Sequence, residues 1–313
     1  MQNLLAILSY PHIDPVIMHL GPVALRWYGV AYVVGFLLGY LWLRRMARQG
    51  QLHLSTDQLG SLLSWLVLGV LAGGRLGWWL FYHRTEGRVE PWYEPVAVWH
   101  GGMSFHGALL GVTLVFLIWS WRRRADAWNI ADCAALVAPV GLFFGRIANF
   151  INGELVGRVT SVPWAMVFPG GTQPRHPSQL YEAILEGPLL LGALWAARRL
   201  RPGSGQVASL FLVAYGLLRF GVEFTRQPDE QLGFIGFGWL TMGQVLSAAL
   251  VLAGLVLLLV RQQHSSIPAF QAHAGTKNVT EKDLMPFVTT VDSGVAEVVR
   301  KQEEGWSYIK GGS

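Results

Sequence analysis

Lysine is absent from the first 263 residues of this 313-residue chain; all four, Lys277, Lys282, Lys301 and Lys310, fall in the segment 264–313. Charge of either sign is scarce. Asp, Glu, Lys and Arg together make up 14% of the residues, against about a quarter in soluble domains. Cys133 is the one cysteine, which excludes an intrachain disulfide and any metal site built on several thiolates. The net charge of +5 is modest and its arginines gather in short clusters, which argues against nucleic acid as a partner. A basic leader is missing too: residues 1–20 carry no cationic start, and Pro11, Asp14 and Pro15 interrupt the apolar stretch, so no cleaved signal peptide is expected. What the chain has in quantity is apolar. Hydrophobic residues reach 52%, with 14 tryptophans and 37 glycines. Long apolar runs, interfacial aromatics and glycines that let helices approach closely are the marks of membrane spans.

Windows of about 20 apolar residues predict an all-α, polytopic membrane protein with seven transmembrane helices, at 24–43, 59–82, 102–121, 130–151, 179–198, 206–226 and 239–260. Arginine sets the orientation. Arg44, Arg45 and Arg48 follow the first span, Arg122, Arg123 and Arg124 the third, Arg198, Arg199 and Arg201 the fifth, and Arg261 the seventh. These clusters fall at alternate ends and so on one side, the cytoplasmic one. The N-terminus is then periplasmic, the C-terminus cytoplasmic, and the loops 83–99, 152–178 and 227–238 periplasmic. Residues 1–263 form the membrane domain. Residues 264–313, with six acids and five bases and no spanning run, read as a cytoplasmic tail with one short helix near 291–304, or as an appended segment.

Ionisable groups inside spans are costly and face a cavity or a partner. With a rise of ~1.5 Å per residue, Tyr28, Arg75, His106, Arg146, Tyr181, Glu182 and Arg219 all lie roughly 20–25 Å from the cytoplasmic ends of their spans. Six helices thus bring polar groups to one level in the outer half of the bilayer. Alternatives stand for each residue alone. Arg75 fits a snorkelling arginine, Trp27 and Tyr28 fit an interface anchor, and His106 fits a packed histidine. Cys133 fits a small buried hydrophobe.

Two stripes sharpen the level. Arg146, Asn149 and Gly153 share a helix face, and Tyr215, Arg219 and Glu223 are spaced by four. Two arginines from two helices make a clamp for a phosphate, which a guanidinium binds through its planar fork. A structural ion pair accounts for Arg219 and Glu223 equally well, and leaves Arg146 with Glu154 as its nearest evident acid. The glycine-rich run Gly101-Gly102-Met103-Ser104-Phe105-His106-Gly107 brings backbone close to an imidazole able to take a proton near neutral pH.

The run Gly145-Arg146-Ile147-Ala148-Asn149-Phe150-Ile151-Asn152-Gly153-Glu154-Leu155-Val156-Gly157 resembles the signature of the prolipoprotein diacylglyceryl transferase family. Trp27-Tyr28-Gly29, the Gly101–Gly107 run, Arg175-His176-Pro177-Ser178-Gln179-Leu180-Tyr181-Glu182 and the stretch from Tyr215 to Asp229 resemble the same family, in order, over about residues 10–262. The resemblance implies an enzyme of the bacterial inner membrane. Its reaction joins the lipobox cysteine thiol of a prolipoprotein signal peptide to the glyceryl carbon of phosphatidylglycerol, forming a thioether and releasing glycerol phosphate. It implies His106 as base and Arg146 and Arg219 as phosphate ligands, with Glu223 orienting Arg219. Tyr28, Arg75, Asn149, Glu154, Gly157, Tyr181 and Tyr215 would shape the pocket for the lipid. No cofactor and no metal is expected. A lipid or anion transporter and a non-catalytic assembly factor are the rival readings. The absence of an internal repeat and the single polar level argue against the first, and a converged His, Arg and Tyr set against the second.

Cys133 is expected to take no part in the chemistry. Cys133→Ser should retain transfer to a lipobox peptide; an inactive but folded variant would show that the thiol does more than pack.

Overall fold

The computed structural model describes residues 8–11, 13–20, 23–81, 93, 101–200, 202–228 and 233–265. The expected tail helix at 291–304 and nearly all of the loop 83–99 lie outside the described residues. The body is mostly helical: α1 Trp27–Arg48, α2 Thr56–Phe81, α3 Phe105–Arg123, α4 Ala127–Asn152, α5 Ser178–Ile184, a π-helical turn Leu185–Leu189, α6 Leu190–Arg199, α7 Gln206–Val222 and α8 Met242–Ser265. Among the described residues, six stretches are long and apolar enough to cross a membrane, with Ser178–Arg199 counted as one. Helix α7 is apolar but only 17 residues long, about 25 Å.

The chain is not wholly α-helical, which corrects the all-α expectation. Among the described residues, four short strands form two small sheets: β2 Val16–Leu20 pairs antiparallel with β3 Val23–Arg26, and β1 Leu8–Ser9 pairs parallel with β4 Met166–Val167. The run Val16-Ile17 and Val23-Ala24-Leu25 is apolar, so it reads as the start of a span, yet its β-branched residues favour an extended backbone. Helix α1 therefore begins at Trp27 and not at residue 24. Helix α3 likewise begins three residues late, because Gly101 and Gly102 adopt φ of +80° and +72° and Ser104 caps the helix by accepting from the Gly107 N–H.

Caps fix the remaining helix ends. Ser55 and Gln58 exchange reciprocal hydrogen bonds at the start of α2, and Thr241 and Gln244 do the same at the start of α8. The α7 N-terminus is capped from another helix: the Asp132 carboxylate of α4 accepts from the Gly205 and Ala208 N–H groups at 2.7 and 2.8 Å. That ties α7 to α4, the central helix, which also packs against α1, α5 and α6. The apolar core gathers at the arginine-rich end, where Met46, Leu59, Trp119, Leu136, Leu194 and Val207 join α1, α2, α3, α4, α6 and α7.

In lipid, helices associate by close packing more than by hydrophobic burial, and α2 and α3 meet through a seam of glycines. A Cβ on Gly107 would sit 2.3 Å from the Gly73 carbonyl oxygen, and one on Gly111 2.2 Å from that of Gly69. At the opposite end of the bundle the chain from Gly153 to Pro177 folds back on itself. Tyr10 donates to the Phe150 and Ile151 carbonyls and packs with Phe150 and Phe168. Gly157 bridges to Arg226 and donates its N–H to the His176 carbonyl, so close that a Cβ on Gly157 would lie 2.4 Å from that oxygen. Beneath this layer runs a hydrogen-bonded chain in which Trp164 Nε1 donates to the Tyr181 hydroxyl, 3.2 Å from His176 Nδ1.

Two outcomes follow. Gly107→Ala should destabilise the detergent-solubilised protein by about 1–3 kcal/mol through overpacking, whereas Gly192→Ala, with open space around it, should leave the melting temperature unchanged. Burial holds the His176 imidazole below its ordinary value. Between about 6.5, the unfolded value, and that lower folded value the unfolded chain binds more protons, so this histidine's contribution to stability falls as pH drops through the window. Melting temperatures at pH 7.5 and 5.5 should therefore fall less in His176→Gln than in the parent; equal falls would contradict this.

Candidate active site

Three helices and the π-helical turn meet in a buried network of ions. Arg146, six residues before the end of α4, reaches Glu182 of α5 at 2.7 Å and Glu186 of the π-helical turn at 3.0 Å. Arg219 of α7 reaches the same two carboxylates at 3.3 and 3.9 Å, and Glu223 at 2.7 Å. Glu182 and Glu186 are sealed from solvent, at 1% and 0% exposure, so the guanidiniums are their only source of compensation among the described residues. Glu182 meets both guanidiniums by charge without in-line hydrogen bonds, while Arg146 Nε donates directly to Glu186 Oε2.

Local backbone makes this meeting feasible. Glu182 and Glu186 are four residues apart, which on an α-helix gives one face. The π-helical turn interrupts that helix at Gly187, whose φ of −94° and ψ of −106° are not helical, and Pro188 offers no N–H to restore it. Gly187 packs on Phe143 of α4 so closely that a Cβ would lie 2.8 Å from the phenylalanine Cβ. The contact draws Glu186 against α4, beside Arg146. Glu223 is held from α8: Thr241 donates to its Oε1 at 3.1 Å, and Gly243 leaves room for the carboxylate, which a Cβ would meet at 2.6 Å.

Arg146 also lines a cavity of about 730 Å³ bounded by α1, α4 and α7. Its wall is mainly apolar and aromatic, with Tyr32, Phe36, Phe105, Phe211 and Tyr215 among its residues, and Arg146 and Asn149 at the polar end. Phe211 and Tyr215 stack with nearly parallel rings. The Arg146 Nε and Nη1 atoms face carboxylates; Nη2 has no ion-pair or hydrogen-bond partner among the described residues and is the edge left for a ligand. A long apolar pocket ending in a guanidinium edge fits a molecule with an acyl chain and an anionic head.

The candidates from the sequence divide accordingly. Arg146, Arg219 and Glu223 join in the ion network, and Asn149 and Tyr215 line the cavity with Arg146. Glu154 is not the partner of Arg146, contrary to expectation: its carboxylate accepts from Asn149 Nδ2 at 2.7 Å, because α4 ends at Gly153 in a left-handed turn that folds Glu154 back on its own helix. Tyr28 is one helical turn from the cavity, its hydroxyl 3.1 Å from that of Tyr32. Tyr181 serves the Trp164–His176 chain, and Gly157 the layer above it. Arg75 is buried on the α2–α3 pair, where it donates to the Gly101 and Gly102 carbonyls and lies 4.6 Å from the Trp78 ring centre. His106 is exposed at the first turn of α3 against Phe105, and it is that phenylalanine, not the imidazole, that lines the cavity. Glu186 was not among the candidates, although an acid four residues after Glu182 in an apolar span is a signal that sequence alone carries. Thr241 has no such signal beyond its cap.

The sequence finds its counterpart in known proteins. The sequence profile of the prolipoprotein diacylglyceryl transferases matches residues 15–260. A phosphatidylglycerol–prolipoprotein diacylglyceryl transferase of Nitratidesulfovibrio vulgaris (strain Miyazaki F) is 50% identical over 266 residues, covering 84% of this chain and 99% of its own. Proteins of that same name from Rhodospirillum rubrum and Rhizobium meliloti are each 49% identical, covering 82% and 80% of this chain and 95% and 93% of theirs. The matched region holds every residue of the ion network and the cavity, and the chain belongs to the prolipoprotein diacylglyceryl transferase family.

Proposed function

We propose that this chain transfers the diacylglyceryl group of phosphatidylglycerol to the lipobox cysteine of a prolipoprotein. The observation that carries the reading is the buried network of Arg146, Arg219 and three glutamates at the polar end of an apolar cavity, in a chain of this family. The enzyme sits in the bacterial inner membrane with seven crossings, α7 being the shortest. Its arginine-rich helix ends are cytoplasmic, and the ion network lies toward the periplasmic half, where a signal peptide's cysteine enters.

In the reaction the thiol sulfur attacks the glyceryl carbon bonded to the phosphate oxygen. A C–S bond forms, the C–O bond breaks, and glycerol phosphate leaves with the electron pair. Charge grows on the departing phosphate, and Arg146 meets it with its cavity edge, a contact stronger in the transition state than in the ground state. Arg219 does not line the cavity; it acts through Glu182 and Glu186, holding them so that Arg146 keeps its orientation. Glu223, Thr241 and Gly243 hold Arg219 in turn. Asn149 and Glu154 fix the neighbouring polar wall, and Tyr215 with Phe211 flanks the lipid. Tyr28, Arg75, Gly157 and Tyr181 support the headgroup region from its margins. The thiolate is the competent nucleophile, and the thiol proton passes to His106.

A second assignment of that proton has an observation in its favour. His106 is exposed and outside the cavity lining, and the departing phosphate monoester, with a second pKa of about 6, is itself a competent acceptor.

Transfer to a lipobox peptide in phosphatidylglycerol vesicles tests these roles. Arg146→Lys keeps the charge but loses the fork and should lower turnover by roughly 10²-fold, the scale of one lost transition-state donor. A lysine variant with parental turnover would sink the phosphate role. His106→Asn should cost about 10²-fold or more if the imidazole is the base. A loss below about fivefold would hand the proton to the phosphate.

A further inference from the structure

Three arginines at the arginine-rich end of the bundle converge on one groove. Arg45 stands in the last turn of α1, and Arg198 and Arg199 in the last turn of α6; all three line a second cavity, about 900 Å³ in volume, between α1, α4 and α6. None has a carboxylate within ion-pair distance among the described residues. Two of them are held in place. Arg198 Nη2 donates to Gln51 Oε1 at 2.8 Å, and the Arg199 guanidinium lies 3.8 Å from the Trp195 ring centre. Three cations gathered without an anion repel one another, and a phosphate brought among them relieves that repulsion.

The rest of the groove has the shape of a lipid and not of a soluble anion. Trp42 and Trp195 flank the arginines, and Leu38, Leu41 and Val140 continue the wall. On α1 the lining residues recur at 38, 41, 42 and 45, a single helix face. Leu38 precedes Arg45 by seven residues, so the apolar wall extends about 10 Å deeper than the charge. Tryptophan between an apolar wall and a cationic rim is the arrangement that side chains take at a headgroup level.

We propose that this groove binds an anionic phospholipid of the cytoplasmic leaflet, with its phosphate among Arg45, Arg198 and Arg199 and an acyl chain along Leu38, Leu41 and Val140. The site is separate from the cavity at Arg146, shares no residue with it, and takes no part in the transfer. Its assignment to the cytoplasmic leaflet rests on the orientation proposed above. Basic pockets between helices on that side are suited to acidic headgroups.

Native mass spectrometry of the full chain in detergent, with tetraoleoyl cardiolipin as probe and dioleoylphosphatidylcholine as its neutral counterpart, tests the proposal. The parent should hold cardiolipin in preference to phosphatidylcholine, and the triple variant R45Q/R198Q/R199Q should bind it at least about tenfold more weakly. The triple variant R45K/R198K/R199K keeps the charges and should retain most of the binding, so a fold damaged by glutamine is told apart from lost attraction. R122Q/R124Q, altered in another basic cluster, should bind like the parent. Parental binding by the glutamine triple, or an equal loss in R122Q/R124Q, would overturn the site. Transfer to a lipobox peptide, measured alongside, should be unchanged in every variant. An inactive parent that still binds cardiolipin would count against the transferase reading and leave the lipid site standing.

Discussion

Two guanidiniums inside an apolar bundle must be compensated, and the carboxylates of Glu182 and Glu186 do it for both at once. Breaking one member of such a buried set leaves an uncompensated charge, at a cost of about 3–5 kcal/mol. The surrounding helices are therefore bound to one arrangement: α4 and α7 each bring an arginine, α5 and the π-helical turn each bring an acid between them, and Thr241 at the start of α8 closes the set by holding Glu223. The glycines at 187 and 243 belong to the same constraint, since side chains there would collide with Phe143 and with the Glu223 carboxylate. With every group ionised, two cations face three carboxylates, an excess of one negative charge. Such a cluster does not attract a phosphate as a bare pair of arginines does. It orients Arg146, and the Nη2 edge beside the cavity is where we propose that phosphate binds.

This distribution of labour separates positioning from contact. Arg219 and Arg146 look equivalent as charges on two helices, but only Arg146 borders the cavity. The layer formed by 153–177 and the β1–β4 pair closes over α4 through Tyr10 and Phe150, fixing the end of the helix that carries Arg146 and Asn149. The α2–α3 pair, by contrast, is joined mainly to itself along its glycine seam, and it carries both Arg75 and His106.

Much of this was legible in the residues. Apolar runs gave the helices to within a few positions, except where β-branched residues before Trp27 formed strand β3 in place of a helix. Helical spacing aligned Arg146 with Asn149 and Arg219 with Glu223. Depth along each helix was a poor guide to which polar residues share a site. Depth carries no rotation about the helix axis, and rotation is set by packing. Arg75 and His106 were expected at the common level, yet the first turns into the carbonyls of Gly101 and Gly102 and the second is exposed and absent from the cavity lining. Glu186 escaped for the converse reason. It lies one turn off the common level, and what brings it to Arg146 is the close approach of Gly187 to Phe143, a contact between helices that no single stretch of sequence displays.

The central claim is that phosphate meets Arg146 from the cavity while Glu182 and Glu186 keep their hold on the other guanidinium edges. A structure of the protein with bound phosphatidylglycerol measures this directly. The account predicts the lipid phosphate within hydrogen-bonding distance of Arg146 Nη2, the acyl chains along Phe36, Phe211 and Tyr215, and both Arg146–glutamate pairs intact. A phosphate bound elsewhere, with no contact to Arg146, would contradict it.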